Sequence, residues 1–360
     1  MKLGILTFHS AHNYGATLQA YGLQEYLKTL GHEVYMIDYR PDYITRCYLR
    51  DNNRDWLSKN PWMCIKRLIN YIRYKDIRHS RWDAFNHFIE NKFNFYPYKK
   101  GEDFSSFDTV FIGSDQVWSP YHTGGFYDDA LFGVGFKCKV VSYAASCSQS
   151  SLTEEQKGYL RLHLDEMTGI GIREEKFKEM LQPLTKKEIQ ITVDPTILCG
   201  AETFLKIAIV PPKKKPYVLL YEIKHHDGTL KIAQTIATQL NADIVELVNA
   251  PTFERMDIID QSASPEEFLG YVANAACVVT TSFHGTAFSL LFHRPIYAVR
   301  QGNDADIRLE GLLNGVGLLE RFVEMDKTIF FSDVNYDMVD DKLRASAASS
   351  RLFINKMLNL

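Results

Sequence analysis

The stretch KLGILTFHSAHNYGATLQAYGLQEYLKTLGHEVYMIDY, residues 2–39, decides the fold. KLGILTF (2–8) is a short apolar run of strand length. From Tyr14 to Leu30, apolar residues fall at Leu18, Tyr21, Leu23, Tyr26 and Leu27, a helical period. Gly31 stops that helix, and EVYMIDY (33–39) is rich in strand formers and followed by Pro41. Strand, helix and strand make one βαβ unit. The helical crossover carries the chain back to the same end, so the two strands pair in parallel.

Working outward, the alternation resumes after residue 100. DTVFIGSD (108–115) and KVVSYAAS (139–146) are apolar runs ending in small and polar residues. A helix over 153–167 follows, then a short strand GIGIRE (169–174) and another at 190–193, closed by Asp194-Pro195. The texture changes near 196–204, which is the predicted domain boundary. The expected domains are thus 1–198 and 199–360, with the last helix packing back on the first. In the second half YVLLYEI (217–223) and DIVELV (243–248) read as strands, with a helix at 229–240 between them. Pro265 to Ala276 is a helix with Glu266 and Glu267 in its first turn, favourable to the helix dipole. CVVT (277–280) and PIYAV (295–299) are further strands, and 307–313 a further helix. The fold class is therefore α/β, with two Rossmann-like domains facing a cleft at the carboxyl ends of their sheets, where open α/β sheets bind ligands.

A length of 360 residues, at roughly 150 per domain, agrees with two domains. The net charge of −3 excludes a polybasic nucleic-acid binder, so no nucleic-acid partner is expected. MKLGILTFHSAHNYG lacks the pattern of a signal peptide, and no run approaches the ~20 apolar residues that span a bilayer. The six cysteines are scattered, without CxxC pairs or nearby histidines at zinc spacing. Reduced thiols, a cytoplasmic location and no bound metal are the expectation. Residues 41–100 stand apart, with 13 Lys and Arg against 6 Asp and Glu, while the remainder carries −10. Ile65, Leu68, Ile69 and Ile72, then Trp82, Phe85, Phe88 and Ile89, predict two amphipathic helices there. They form either a layer over the sheet or a basic face, with Trp56, Trp62 and Trp82 nearby, lying on an anionic membrane surface.

Four stretches carry candidate chemistry. HSAHNYGA (9–16) joins the first strand to the first helix, with Asn13 as its cap and free backbone N–H groups for an anion. It lacks the glycine triplet of a dinucleotide site, so no NAD or FAD is expected. His9 and His12 form only a weak metal pair, with no carboxylate beside them in sequence. GSDQVW (113–118) brings Ser114, Asp115 and Gln116 to a strand end, as ligand groups or as a helix cap. Arg173 ends GIGIR and can grip a phosphate or carboxylate with its planar fork, or else pair with Glu174 or Glu175. TTSFHGTAFSLLF (280–292) runs a strand into Ser282, His284, Gly285 and Thr286 before an apolar helix. A histidine at such a turn is placed for proton transfer, and flanking hydroxyls mark a polar pocket rather than a core site. In DAD (304–306), Asp304 or Asp306 reads as a helix cap and Arg308 as a second anion ligand.

Together NYGATLQAY (13–21), FIGSDQVW (111–118), SYAAS (142–146), GIRE (171–174), VDPTIL (193–198) and TTSFHGTAFSLLF (280–292) resemble the polysaccharide pyruvyl transferase family. The resemblance covers nearly the whole chain, with the motifs in order. It implies a GT-B-like architecture. It also implies transfer of the enolpyruvyl-derived group of phosphoenolpyruvate to two sugar hydroxyls, giving a pyruvate ketal and phosphate. The family's arginine and histidine fall on Arg173 and His284, expected to be catalytic. Ser282, Gly285, Thr286 and Arg308 are then expected on the donor side, in the second domain. Asn13, Tyr14, Asp115 and Gln116 are expected on the acceptor side, in the first. The partners implied are phosphoenolpyruvate as co-substrate, a sugar or lipid-linked oligosaccharide, and by peripheral contact the inner face of an anionic membrane. No further cofactor and no metal are implied. A nucleotide-sugar glycosyltransferase and a non-catalytic sugar- or anion-binding protein remain as alternatives.

Overall fold

The computed structural model describes residues 1–50, 61–212, 215–248, 259–325 and 327–360. The first unit opens with β1 (Lys2–Leu6), α1 (Tyr14–Thr29), β2 (Glu33–Ile37), the single turn α2 (Asp42–Thr45), α3 (Pro61–Lys92) and β3 (Phe95–Tyr96). It continues through β4 (Thr109–Ile112), β5 (Lys139–Ala145), α4 (Glu154–His163), β6 (Gly169–Ile172), α5 (Glu175–Leu181) and β7 (Ile189–Ile191). These strands form one sheet in the order β3-β2-β1-β4-β5-β6-β7, and every pairing is parallel. Two short helices, α6 (Pro195–Cys199) and α7 (Ala201–Leu205), lead out of it.

The second unit follows the same plan. It comprises β8 (Tyr217–Glu222), α8 (Asp227–Leu240), β9 (Asp243–Val248), β10 (Ile259–Asp260), α9 (Pro265–Asn274) and β11 (Cys277–Thr280). Then come α10 (Phe283–Leu291), β12 (Ile296–Val299), α11 (Asp306–Val316), β13 (Phe322–Val323) and α12 (Tyr336–Leu358). The sheet order is β10-β9-β8-β11-β12-β13, again parallel throughout. Strand order reverses at β1/β4 in one sheet and at β8/β11 in the other. A crevice opens at each such switch point. The protein is a two-sheet, GT-B-like α/β molecule.

The sheets' inner strands are buried on both faces, as parallel strands flanked by helices must be. One apolar core runs across the seam between the units. Tyr14 at the start of α1 stacks on Phe268 of α9, with ring centroids 4.6 Å apart. Its hydroxyl donates to the Ala263 carbonyl and accepts from Arg81 of α3, each at 2.8 Å. The last helix crosses back to the first sheet: Phe353 and Met357 pack over Gly171 and Gly169 of β6, and Ser350 Oγ accepts from the Val193 amide at 2.9 Å.

The segment 41–100 holds one 32-residue helix where the spacing predicts two. Its carboxyl third lies in the core, with Phe85, Phe88 and Ile89 at most 1% exposed. Trp82 is half-buried and donates to the Tyr48 carbonyl, while Trp56 lies outside the described residues. No helix among the described residues is long and apolar enough to cross a membrane.

Candidate active site

Four carboxyl-end loops of the first sheet meet one loop of the second. β6 delivers Arg173 and Glu174, β7 delivers Asp194, β4 delivers Ser114 to Gln116, and β1 delivers the cap of α1. From the other unit, β11 turns into α10 and delivers His284. At the centre stands Asp194, fully buried. Its Oδ2 accepts from Arg173 Nη1 at 2.7 Å and Ser114 Oγ at 3.3 Å, and lies 3.4 Å from His284 Nε2. Its Oδ1 accepts from the Thr196 amide at 3.0 Å and the Thr196 hydroxyl at 2.8 Å. Burial alone would push this carboxyl's pKa up. His284, Arg173 and the Thr196 amide outweigh burial and hold it well below the carboxylate range.

Arg173 has 4% of its side chain exposed. Burial disfavours its charge, but Glu174, Asp194 and Asp115 outweigh burial and raise its pKa. Nε donates to Glu174 Oε1 at 2.9 Å, the Phe283 ring lies 4.5 Å below Cζ, and Nη2 makes no hydrogen bond. Both sequence readings of this residue thus meet in one side chain: it pairs with Glu174 and also keeps a buried donor unsatisfied. Arg308, on α11, is less well compensated. Burial and then the Arg173 charge push its pKa down, and its Nε is also a buried donor without a partner. With the Gln116 amide turned to suit its neighbours, Oε1 accepts from both Arg308 Nη groups at 3.2 Å and the amide nitrogen donates to Ser148 Oγ at 2.7 Å. Arg173 and Arg308 line a common cavity of about 440 Å³, together with the carboxylates Glu174, Asp194 and Glu310 and apolar residues such as Ile191, Val193, Phe283 and Ile307.

The His284 imidazole is 8% exposed and locked between the units. Nε2 faces Asp194 and makes no well-formed hydrogen bond. Nδ1 faces Gly15 so closely that a Cβ there would lie 2.0 Å away. Gly15→Ala is therefore expected to push the ring aside and lower turnover by roughly 10²-fold, the effect of a displacement of about 1 Å at a reacting group. Steady-state turnover, with thermal unfolding as the folding control, reads this out, and unchanged turnover would detach His284 from the chemistry.

The other sequence candidates divide. Asp115 lies 4.0 Å from Arg173 Nη2, and Gln116 meets Arg308. Tyr14 is a correction: it is fully buried between the units and has no surface to offer a sugar. Asn13 caps α1, its Oδ1 accepting from Gly15 and Ala16. Ser282 caps α10, the Thr286 hydroxyl donates to the Ser282 carbonyl, and Gly285 sits where a Cβ would strike Thr280 Oγ1 at 2.5 Å. Ser282, Gly285 and Thr286 build the turn that presents His284 rather than reaching into the cavity. Asp306 accepts from the Gln301 and Gly302 amides and closes the loop before α11.

Sequence reasoning missed Gly15, the part played by Asp194, and His122 and Ser148 beside Gln116. It also missed one group of potential metal ligands. Among the described residues, Glu222 at the end of β8, His225 in the loop after it and Glu246 within β9 bring their ligand atoms within 4.8 Å of one another. His9 and His12 do not converge: His9 Nε2 meets Asp38 at 3.1 Å. His12 stacks on Phe85, and burial followed by Arg81 and Arg40 lowers its pKa to about 4.

Several solved structures are similar to the chain over nearly its full length at low identity. The UDP-GlcNAc 2-epimerase from Methanocaldococcus jannaschii is 11% identical with a TM-score of 0.44, covering 98% of each chain. S. aureus MnaA in its UDP co-structure is 12% identical with a TM-score of 0.47, covering 100% of this chain and 97% of that one. E. coli heptosyltransferase WaaC with ADP is 12% identical with a TM-score of 0.39, covering 99% of this chain and 100% of that one. No curated protein sequence matches the chain. The family model of polysaccharide pyruvyl transferase, by contrast, matches residues 13–303, a span that contains Asn13, Arg173, Asp194 and His284. The chain belongs to the polysaccharide pyruvyl transferase family.

Proposed function

We propose that the protein moves the enolpyruvyl-derived group of phosphoenolpyruvate onto two hydroxyls of a sugar in a surface polysaccharide or its lipid-linked precursor. The observation that carries this reading is the pair of buried, unsatisfied donors on Arg173 and Arg308, drawn from both units into one cavity, with His284 against Asp194 in its wall. A buried donor left unpaired costs about 1–3 kcal/mol. Bidentate guanidinium recognition of phosphate or carboxylate would remove that cost. Phosphoenolpyruvate has both groups. Arg308 is the cation with most to gain from an added anion, since burial and Arg173 both disfavour its charge.

In this reading the His284–Asp194 contact is a latch across the cleft. When the imidazole turns from Asp194, Nε2 is uncovered and can give a proton to the methylene carbon of phosphoenolpyruvate. The oxocarbenium-like centre so formed is attacked by one sugar hydroxyl, whose proton passes back to Nε2. Phosphate leaves, and a second hydroxyl closes the ketal, its proton leaving on the phosphate. Asp194 returns the imidazole to its place between turnovers. Two C–O bonds to the sugar form and the C–O bond to phosphate breaks, while the protein contributes proton transfer and electrostatic stabilisation.

The test is incubation with phosphoenolpyruvate and a panel of lipid-linked and free glycans, followed by mass spectrometry. A product heavier by one pyruvate less one water, with phosphate released, supports the reading. Binding of a nucleotide without binding of phosphoenolpyruvate would transfer the site to glycosyl transfer. Turnover is expected to survive a chelator, because the groups around Asp194 are donors to it rather than a converging set of metal ligands. Activity abolished by chelation and restored by one divalent ion would overturn that expectation and direct attention to Glu222, His225 and Glu246.

A further inference from the structure

The amino-terminal half of α3 carries six large apolar side chains in water within eleven residues. Trp62 is 79% exposed, Ile72 67%, Ile69 57%, Ile65 50%, Met63 45% and Leu68 42%. The same helix buries Phe85, Phe88 and Ile89 completely or nearly so, so its two ends have opposite fates. Trp62, Ile65, Leu68, Ile69 and Ile72 recur at helical spacing and make a stripe about 120° wide. Arg73 and Lys75, both exposed, fall at its two borders. Residues 61–80 contain five Lys and Arg and one Asp. A contiguous apolar patch of this kind marks an interaction surface.

The charge pattern selects the occupant. An apolar stripe flanked by cations is the arrangement of a helix lying in a membrane interface. Its apolar face sinks to the acyl boundary and its cations meet lipid phosphates. A second copy of this chain, docked through the same stripe in a two-fold dimer, would instead bring two like-charged, strongly basic segments face to face. We propose that residues 61–75 of α3 lie flat on an anionic membrane surface. The helix then leads inward to Arg81, whose guanidinium lies 4.9 Å from the Tyr14 ring centroid at the seam between the units. The surface itself does not rest on the pyruvyl-transfer reading, since vesicle binding and phosphate release are read separately.

The experiment is co-sedimentation of the full chain with vesicles of phosphatidylcholine alone or mixed with phosphatidylglycerol, at low and high salt. Binding to the anionic vesicles only, weakened by salt, is expected. Ile65→Asp/Ile69→Asp/Ile72→Asp should reduce partitioning at least about tenfold, because the apolar face supplies the insertion. Arg73→Glu/Lys75→Glu should reduce it at anionic vesicles and remove the salt dependence. All these positions are exposed, so thermal unfolding and turnover on a soluble acceptor should match the parent protein. Equal binding to both vesicle types, binding to neither, or parent-like binding by the triple isoleucine variant would overturn the proposal. So would a concentration-dependent dimer that the triple variant dissolves, which would assign the stripe to a second copy.

Discussion

His284→Ala lowers turnover by roughly 10²–10⁴-fold while leaving the chain folded, the range for loss of a positioned proton-transfer group. The size follows from where the ring sits. It projects from the first turn of α10, set there by the Ser282 cap and by a glycine that no side chain can replace without striking Thr280. Asp194 lies on one side of the imidazole and the bare backbone of Gly15 on the other. Arg173 and Arg308 stay charged near neutral pH and cannot take over the proton, and Glu174 Oε1 is engaged by Arg173 and Ser146. The fold survives, because Asp194 retains Arg173, Ser114 and Thr196 when the imidazole is removed. Initial rates of phosphate release from phosphoenolpyruvate, compared with the unfolding midpoint, decide the matter. Turnover within a few-fold of the parent would take His284 out of the chemistry.

How far the sequence reveals this site depends on how local each contact is. The βαβ alternation was legible because a doubly covered parallel strand must be continuously apolar, as TVFI (109–112) and CVVT (277–280) are. The two-residue strands β3, β10 and β13 are too short to have a period. The helix α3 reads as two because its apolar positions change purpose along its length. Ile65 to Ile72 face water and Phe85 to Ile89 face the core, with a polar stretch between them. Arg173 and His284 were legible from their places at strand ends. Asp194 was visible only as the residue that, with Pro195, closes a strand; its role as the cap of α6, accepting from Thr196, appears in the structure. Its second role spans 90 residues and two units, which no spacing rule reaches. Gly15 gave one weak signal, a glycine within the first turn of a helix, where it lowers stability unless something needs the space. Tyr14 misled for a related reason. A tyrosine beside a binding loop has the same local sequence whether it faces the cleft or the neighbouring unit.

Asp194→Asn should be the most destabilising single-atom change in the site. Asparagine keeps the shape but replaces one acceptor oxygen with a donor, and both carboxylate oxygens already receive only donors. Whichever way the amide turns, its NH₂ meets either Arg173 and Ser114 or Thr196. Arg173 loses a buried counter-charge. Breaking such a pair from one side costs about 3–5 kcal/mol, a large part of the ~5–15 kcal/mol that holds a domain. Acidity gives a separate signature. The folded carboxyl has its pKa depressed by His284, Arg173 and Thr196 against burial, so its stabilising effect is complete above the unfolded value of ~3.9 and fades as pH falls toward the folded one. The stability gap between parent and variant, measured by denaturant titration, should therefore be constant near neutral pH and narrow below about pH 4. Arg173→Lys should shift stability in the same direction, since an ammonium cannot bridge Asp194 and Glu174 with one fork. A gap under about 1 kcal/mol, no more than a typical single hydrogen bond, or a gap that does not narrow in acid, would show that the buried charge pair is not what holds Asp194. Turnover separates structure from catalysis. If Asp194 only braces the fold, the variant that remains folded works at the parent rate. If it orients His284, turnover per folded molecule falls roughly 10²-fold as well, because the imidazole has lost the partner that fixes its position.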